Sequence, residues 1–323
     1  MHRLDAAKVF QAMFESQVQA FGKPDLIYAT YDDNRILRFL QRYAKKNRIP
    51  LLVDVCEWYS PCEFRLGKLS HVYLLNDWQN RFVLKKPARI VAISRYLEKH
   101  FVSRGLETLR IPDIIDIEAK DGSVACKDGP AQLIYAGSPG GKDSLRPLLS
   151  ALFSLDEAAR RKLHLHIVGI SEDQLQSIGI LSAEERAVLS DTLSVYGRIP
   201  HAEVERMLKE MDFSVLLRPA QERYAKAGFP TKVVEAMSHG VAMLCNPSSD
   251  LADYLKDGEN ALLCCGQDED SVRKALLRAS AMDRDARMTL RKNARKTAEH
   301  CFDYRGYVAA VADFAGLSTE SEG

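Results

Sequence analysis

A glycine-rich segment that ends in a lysine could bind phosphate. It follows the apolar stretch QLIYAG (132–137) and leads into a predicted helix that begins near Asp143. Glycines let the backbone approach a ligand closely, and a helix N-terminus presents N–H groups that favour anions. Lys142 adds a full positive charge at the same position. The residues predicted to contact the phosphate are Gly137, Gly140, Gly141 and Lys142.

The same segment departs from the phosphate-binding loop of ATPases at two positions. The first glycine of the pattern G-x-x-x-x-G-K-[ST] is replaced by Ala136, and Asp143 stands in place of the final Ser or Thr. The hydroxyl that usually binds Mg²⁺ is therefore absent, and an ATPase is disfavoured. An ordinary strand-to-helix turn without a ligand is the alternative.

A second group of polar residues surrounds the start of another predicted helix, TKVVEAMSHG (231–240). A predicted strand ends at Arg218, and Gly228-Phe229-Pro230 leads into the helix, whose first turn suits a proline. Lys232 and Glu235 are three residues apart and therefore neighbours on the helix surface. The helix N–H groups, the cations and the carboxylate would suit a ligand with both phosphates and sugar hydroxyls. A surface ion pair between Lys232 and Glu235 is the alternative.

Both groups follow strands of one predicted sheet, at the C-terminal ends of those strands. Ligands of open α/β sheets bind at that edge. We therefore predict that the two groups belong to a single binding site.

A carboxylate beside two aromatic residues follows an earlier predicted strand, in the order Glu57, Trp58 and Tyr59. Aromatic rings stack on the apolar faces of sugars, and a carboxylate accepts hydroxyl protons. This loop is therefore predicted to handle a sugar.

Short apolar runs alternate with amphipathic stretches along the chain, which is the pattern of parallel α/β sheets. The predicted strands are 24–30, 49–55, 88–94 and 108–116, followed by 132–137, 163–169, 192–199, 213–218, 241–246 and 261–265. The predicted helices are 10–22, 34–48, 96–105, 143–155, 201–211, 231–240, 250–258, 270–300 and 303–317. Residues 119–130 are rich in Gly, Asp, Lys and Ser and are predicted to be a linker between two such domains.

Length and composition agree with two folded domains. The chain has 323 residues, of which 46% are hydrophobic and 28% are charged, so each domain can bury a core. No apolar run approaches the roughly 18 residues that span a bilayer. The opening MHRLDAAKVFQAMF has no apolar segment typical of a secretory signal, which favours a cytoplasmic protein.

The cysteines and histidines indicate neither a disulfide scaffold nor a metal site. The seven cysteines include no C-x-x-C pair, and they are predicted to be reduced and mostly buried thiols. The histidines lack metal-binding spacing, and a simple pair with Glu235, four residues before it, is the alternative to a functional role for His239. No Ser-His-Asp or Cys-His arrangement supports nucleophilic catalysis.

Charge is distributed unevenly along the chain. Residues 1–120 hold 20 Lys and Arg against 14 Asp and Glu, whereas the rest hold 25 against 30. A basic first part suggests a surface for anionic lipid or for an anionic acceptor. An ordinary solvated surface is the alternative.

The segment AGFPTKVVEAMSHGVAMLCNPSSDLADYLKDGENALLC (227–264) resembles glycosyltransferase family 4, whose members are retaining enzymes of the GT-B fold. Four further stretches are similar to the same family: IVAISRYL (90–97), RIPDIID (110–116), YAGSPGGKD (135–143) and YGRIP (196–200). The branch that it is most similar to builds bacterial surface polysaccharides.

The resemblance implies two Rossmann-like domains that face each other across a cleft. Residues 1–118 would form the acceptor-side domain, with the terminal helix 302–323 packed back on it, and residues 119–301 would bind the donor. Members of the family begin with two or three strands before PDLIYAT (24–30), so the N-terminal domain is expected to be incomplete.

The resemblance also implies roles for individual residues. Glu235 matches the second glutamate of the E-x7-E motif and would hold the donor ribose, whereas the first glutamate is replaced by Ala227. Lys142 and Lys232 would contact the diphosphate. The residues expected at the site are, for catalysis, Glu57, Lys142, Lys232 and Glu235, and for donor binding Gly137, Ser138, Gly140, Gly141, Tyr196, Arg198, Ile199, Arg218, Gly228, Phe229, Pro230 and Thr231.

The function implied is transfer of a sugar from a nucleotide-sugar to a surface polysaccharide or a lipid-linked glycan, with retained anomeric configuration. No cofactor or metal is expected, because cations and the helix dipole would stabilise the leaving diphosphate. The expected partners are the donor, the glycan acceptor and, peripherally, an anionic membrane on its cytoplasmic face, but no nucleic acid. The alternatives are a non-catalytic or truncated donor-binding subunit and a sugar-nucleotide epimerase of the same fold.

Overall fold

The computed structural model describes residues 3–30, 33–122, 124, 126–137 and 142–317. The chain divides into two compact units. Unit 1 comprises Met1–Pro112, Lys226–Phe229 and Tyr307–Gly323, and unit 2 comprises Asp113–Ala225 and Pro230–Gly306. The first division therefore lies at Pro112, earlier than the predicted boundary at residue 118.

Unit 1 is built on a parallel sheet in the order β1-β2-β3-β4. Its elements are α1 (Arg3–Phe21), β1 (Ile27–Ala29), α2 (Asn34–Asn47), β2 (Leu51–Val55), α3 (His71–Trp78), a π-helical turn (Gln79–Val83), β3 (Ala88–Ala92), α4 (Arg95–Ser103) and β4 (Thr108–Arg110). Helix α2 begins because the Asp33 carboxylate accepts a hydrogen bond from the backbone N–H of Arg35 at 2.8 Å. Its apolar stripe packs in the core with β2, which is apolar at four of five positions and buried at those four.

Unit 2 is built on a second parallel sheet, in the order β10-β9-β8-β5-β6-β7. Its elements are β5 (Ala131–Ala136), α5 (Arg146–Phe153), α6 (Glu157–Arg160), β6 (Leu163–Val168), α7 (Glu172–Ser177), α8 (Ala183–Val188), β7 (Leu193–Val195), α9 (His201–Glu210), β8 (Phe213–Leu216), α10 (Arg223–Ala227, which straddles the division), α11 (Thr231–Ser238), β9 (Ala242–Cys245), α12 (Leu251–Tyr254), β10 (Ala261–Leu263), α13 (Glu269–Ala281) and α14 (Arg284–Cys301).

The C-terminal helix α15 (Val308–Ala315) belongs to unit 1. The guanidinium of Arg89, on β3, donates a hydrogen bond to the carbonyl of Phe314 at 2.7 Å. Helix α15 is therefore joined to the sheet of unit 1.

The strand order of unit 2 indicates where along its sheet a ligand would bind. Strand β5 lies between β6 and β8, so the sheet extends from β5 to one side through β6 and β7 and to the other side through β8, β9 and β10. This arrangement leaves a crevice at the carboxyl ends of neighbouring strands. The segments that follow β5 and β8 therefore meet, as predicted.

The predicted linker 119–130 is part of unit 2. Cys126 is buried, and its thiol donates to the Asp212 carboxylate at 3.1 Å. Asp212 also accepts from the backbone N–H of Gln132 at 2.9 Å and pairs with the buried Arg287 and Arg291 at 3.3 and 3.6 Å. The composition of the segment predicts a linker, but this buried ionic network ties it to the sheet and to α14.

Several element boundaries differ from the predictions. Strand β4 ends before Pro112, because a proline cannot continue a hydrogen-bonded ladder. The single helix predicted over 270–300 is two helices, because Asp283 caps a new one by accepting from the N–H of Ala286 at 2.8 Å. Helices α3, α6, α7, α8 and α10 are not among the predicted elements.

The cysteines are less buried than predicted. Cys126, Cys245 and Cys264 are buried, but Cys56, Cys62 and Cys265 are exposed, and all are free thiols. Across the described ranges, no helix is long and apolar enough to cross a membrane. The predicted α/β class with two parallel sheets is confirmed.

Candidate functional site

A buried carboxylate, Asp143, holds two cations at the edge of the unit 2 sheet. Its Oδ2 forms an ion pair with Lys232 Nζ, at the start of α11. Its Oδ1 lies 3.1 Å from Arg218 Nε, after β8. Only 6% of the Asp143 side chain is exposed. Because α5 begins at Arg146, Asp143 does not start a helix as predicted but joins the two predicted groups.

The cations determine the charge state of Asp143. Burial alone would raise the pKa of its carboxyl, but Lys232 and then Arg218 outweigh burial and hold this pKa below the ordinary value of 3.8. The carboxylate is therefore ionised at neutral pH, and the three groups together carry one net positive charge. A positive, partly buried cluster at a sheet edge is suited to an anion.

The ion pairs of Asp143 predict a pH-dependent stability. Since its pKa is lowered by folding, its contribution is fully present above pH 3.8 and is lost as the pH falls through the lowered value. We expect Asp143→Asn to cost about 3 kcal/mol at pH 7, the low end for breaking a buried ion pair, and less at pH 3, which lies below the ordinary pKa of the carboxyl. Urea unfolding of both proteins at the two pH values measures this difference. A difference that does not change with pH would contradict the assignment.

The backbone approaches Lys232 closely at the end of β5. At Gly137 an added Cβ would collide with Lys232 Nζ. At Gly169, where φ is +106°, an added Cβ would lie 2.5 Å from the Gly137 carbonyl oxygen. Both positions therefore favour glycine, and the backbone at the end of β5 lies directly against the ammonium of Lys232.

Asn246 fixes the loop that carries Arg218. Its amide donates to the Arg218 carbonyl at 2.7 Å and accepts from the Arg218 N–H at 2.9 Å. The next strand end thus holds Arg218 towards Asp143, whose neighbour Ser144 donates its N–H to the Leu217 carbonyl at 2.9 Å.

Tyr135 lies beneath Lys232, with the ammonium 5.0 Å from the ring centroid. Burial, followed by the charge of Asp143, raises the pKa of the Tyr135 phenol. The buried ring therefore stays neutral and offers its π face to Lys232.

Glu235 faces His201 rather than Lys232. Its carboxylate lies 3.4 Å from His201 Nε2, on α9, so the alternative of a Lys232–Glu235 surface pair is wrong. His239 does not pair with Glu235 either but lies 3.9 Å from Glu205. About a third of the Glu235 side chain is exposed, which leaves it accessible to a ligand.

The remaining predicted donor-binding residues lie on two turns. Tyr196 donates its backbone N–H to the Ile167 carbonyl at 2.9 Å, and its hydroxyl lies 2.9 Å from His166 Nδ1. Burial, and then the charge of His164, lowers the pKa of His166 to about 4, so this ring is neutral at pH 7. Arg198 is exposed and Ile199 is half-buried.

At the start of α11, Pro230 is the N-cap residue, one position earlier than predicted, and Thr231 is exposed. Gly228 and the buried Phe229 belong to unit 1 by their contacts. Lys142 is half-buried, and its carbonyl accepts from the Tyr224 hydroxyl at 3.0 Å. The predicted residues Ser138, Gly140 and Gly141 lie outside the described residues.

Unit 1 contains a small polar pocket at the carboxyl ends of β1 and β2. It encloses about 190 Å³, and its walls include Thr30, Asp54, Cys56, Glu57, Tyr59, Asn76 and Gln79. The buried Gln79 Oε1 has no hydrogen-bond partner among the described residues. Glu57 therefore lies where a sugar hydroxyl could be bound.

Trp58 does not lie in this pocket. Its ring is 3% exposed, and its Nε1–H donates to Asp77 at 2.9 Å. The ring of His100 lies 4.4 Å away, between centroids. The prediction that Trp58 stacks on a sugar is therefore wrong, because packing against α4 encloses the indole.

Residues 116–297 match the family described as "Glycosyl transferases group 1". The match covers more than half of the chain. The chain belongs to the group 1 glycosyl transferases. It is therefore a transferase with a nucleotide-sugar-binding, Rossmann-like domain, and the predicted enzyme class is confirmed. No curated protein matches the chain.

Solved structures confirm the expected GT-B fold of this glycosyltransferase. HepE of Anabaena with UDP has a TM-score of 0.67 at 17% identity, covering 94% of this chain and 82% of its own. Sucrose-phosphate synthase of Thermosynechococcus elongatus has a TM-score of 0.67 at 16% identity, covering 97% and 79%. The lipopolysaccharide outer core galactosyltransferase WaaB has a TM-score of 0.62 at 17% identity, covering 94% and 79%.

Three residues of the site, Asp143, His201 and Asn246, are not predicted from the sequence. The sequence marks Asp143 only as a departure from the ATPase pattern and as the start of a predicted helix, and it indicates no role for His201 or Asn246. The only signal is their position at the end of a predicted strand or within a few residues after it, where side chains from different strands converge. Their partners are distant in sequence, so spacing does not reveal them.

Proposed function

We propose that the chain transfers a sugar from a nucleotide-sugar to a hydroxyl of a growing surface polysaccharide or lipid-linked glycan. The observation that carries the proposal is the convergence of Lys232 and Arg218 on the buried Asp143, with the backbone of Gly137 against Lys232 and with Glu235 one helical turn beyond it. Cations and close backbone suit a diphosphate, and an accessible carboxylate suits ribose hydroxyls.

The proposed reaction retains the anomeric configuration, as in glycosyltransferase family 4. The bond between the anomeric carbon and the diphosphate oxygen breaks, and a bond to the acceptor oxygen forms on the same face of the sugar. The acceptor's hydroxyl proton passes to the departing diphosphate oxygen. Lys142, Lys232 and the N-terminus of α11 would stabilise the charge on the leaving group, without a resident metal or cofactor.

The acceptor would be held by unit 1. The pocket of Glu57 offers carboxylate, amide and hydroxyl groups of the kind that bind sugar hydroxyls. We propose in addition a cytoplasmic location, with unit 1 in peripheral contact with an anionic membrane, because residues 1–120 carry an excess of basic side chains.

Calorimetry with UDP-, GDP- and ADP-sugars tests the donor proposal, and UDP-glucose comes first because HepE was solved with it. One donor class is expected to bind, and at a hundred times its Kd it should stabilise the fold by about 2.7 kcal/mol. Lys142→Ala should weaken this binding, whereas Lys162→Ala, at an exposed lysine of unit 2, should not.

A product analysis tests the stereochemistry separately. The anomeric configuration of the product, read from proton coupling constants, is expected to equal that of the donor. An inverted product would contradict the retaining mechanism. Failure of every donor to bind would contradict the proposed function itself.

A further inference from the structure

One face of helix α2 carries only positive charge. Arg38, Arg42 and Lys45 recur at helical spacing on its exposed side, opposite the buried apolar stripe. The helix NRILRFLQRYAKKN (34–47) contains no acidic residue. Repulsion along this face is therefore not relieved within the helix.

Two further cations complete a pocket beside this face. Lys85 and Lys86 follow the π-helical turn, and together with the α2 cations and Phe82 they line a cavity of about 440 Å³. The buried Gln41 joins the two walls by donating to the Val83 carbonyl at 3.0 Å. Over the described ranges, none of the five cations has an acidic partner. The pocket therefore concentrates positive charge that no acidic side chain of the described ranges neutralises.

An apolar ridge runs next to the basic pocket. Leu74, Leu75 and Trp78 on α3 and Phe82 on the π-helical turn are all exposed, and the Trp78 and Phe82 ring centroids are 4.6 Å apart. Phe82 also lines the pocket, so the two surfaces are continuous. Asn34 of α2 donates to the Leu75 carbonyl at 3.1 Å and fixes the ridge along that helix.

The basic pocket and the adjoining apolar ridge together indicate which class of partner fits this surface of unit 1. A second copy of this face would bring like charges together, which disfavours self-association. Nucleic acid would satisfy the cations but would leave the leucines in water. A bilayer with anionic lipids accommodates both, because head-group phosphates meet the cations while the aromatic and leucine side chains enter the acyl boundary.

We propose that this surface of unit 1 is a membrane-docking site, at which the pocket of Arg38, Arg42, Lys45, Lys85 and Lys86 holds the phosphate of an anionic lipid and the ridge of Trp78 and Phe82 inserts beside it. The inference deepens the peripheral membrane contact proposed above. It depends on neither the donor nor the acceptor.

Vesicle co-sedimentation tests the charge requirement. The protein is expected to bind phosphatidylcholine vesicles containing about one-third phosphatidylglycerol and not to bind phosphatidylcholine alone. The triple variant Arg38→Gln, Arg42→Gln, Lys86→Gln should lose about a hundredfold in affinity, at roughly fivefold per cation. The control Lys162→Gln, Lys274→Gln, Lys292→Gln removes the same charge from exposed positions of unit 2 and should bind normally.

Substitution of the ridge tests the insertion. Trp78→Ser with Phe82→Ser is expected to lower vesicle affinity about tenfold and to leave binding more sensitive to salt, whereas Ile178→Ser with Val188→Ser on unit 2 should have no effect. The thermal midpoint of each variant verifies folding. Equal binding to neutral vesicles, or no binding to either, would overturn the proposal.

Two competing partners give different results. Tight binding of single-stranded RNA that the ridge substitutions do not affect would overturn the proposal in favour of nucleic acid. A dimer that dissociates in the ridge variants would overturn it in favour of a second copy. Donor calorimetry on the same variants separates this inference from the proposed function, since a docking variant should bind the nucleotide-sugar normally.

Discussion

Replacement of Lys232 by methionine is expected to lower the rate of sugar transfer at saturating donor by about 10²–10³-fold. Its ammonium lies so close to the backbone of Gly137, after β5, that a Cβ added at that glycine would collide with it. The same ammonium pairs with the buried Asp143. A leaving diphosphate gains negative charge in the transition state, so a cation at the proposed diphosphate site would stabilise that state more than the bound donor. Initial rates with a saturating donor and the acceptor give kcat directly.

Lys256→Met is the matched control, because that lysine of unit 2 is exposed and pairs only loosely with Glu259, at 3.6 Å. It should leave kcat unchanged. Lys232→Met must also be shown to be folded, since among the described residues Asp143 then keeps Arg218 as its one ion-pair partner. A folded Lys232→Met enzyme with the kcat of wild type would contradict the assignment of the diphosphate site.

The strands are the elements of the fold that the sequence predicts best. Runs such as LLVDV (51–55) and FSVL (213–216) are short and buried on both faces, which only a parallel sheet covered by helices permits. Every strand of unit 2 was predicted to within a few residues. Helices were predicted less well, because α3 and the short helices between β6 and β7 have weak apolar periodicity.

The site was predicted only in outline. Both polar groups could be placed at strand ends, but the pairing of Asp143 with Lys232, 89 residues later, follows from the adjacency of β5 and β8. That adjacency is a property of the topology and leaves no trace in local spacing. Likewise, the local sequence around Trp58 does not show that α4 encloses the indole ring, so the prediction that this ring stacks on a sugar is wrong.

Glu235→Gln is expected to weaken binding of the nucleotide-sugar by about 10–100-fold, the cost of losing hydrogen bonds to a charged acceptor. The carboxylate is partly exposed one turn beyond Lys232, where ribose hydroxyls would lie if the diphosphate meets Lys232. Isothermal titration calorimetry with the donor class found for the wild type measures the change in Kd. Glu203→Gln, on the exposed part of α9, is the matched control and should bind as wild type does.

A structural role for Glu235 predicts a different pattern. If the carboxylate only anchored His201, 3.4 Å away, then His201→Ala would weaken donor binding as much as Glu235→Gln does. If it binds ribose, His201→Ala should change Kd by no more than a few-fold, and inorganic pyrophosphate, which lacks ribose, should bind Glu235→Gln and wild type equally. Equal losses for pyrophosphate and for the nucleotide-sugar would exclude ribose recognition, because the damage would then lie at the diphosphate itself.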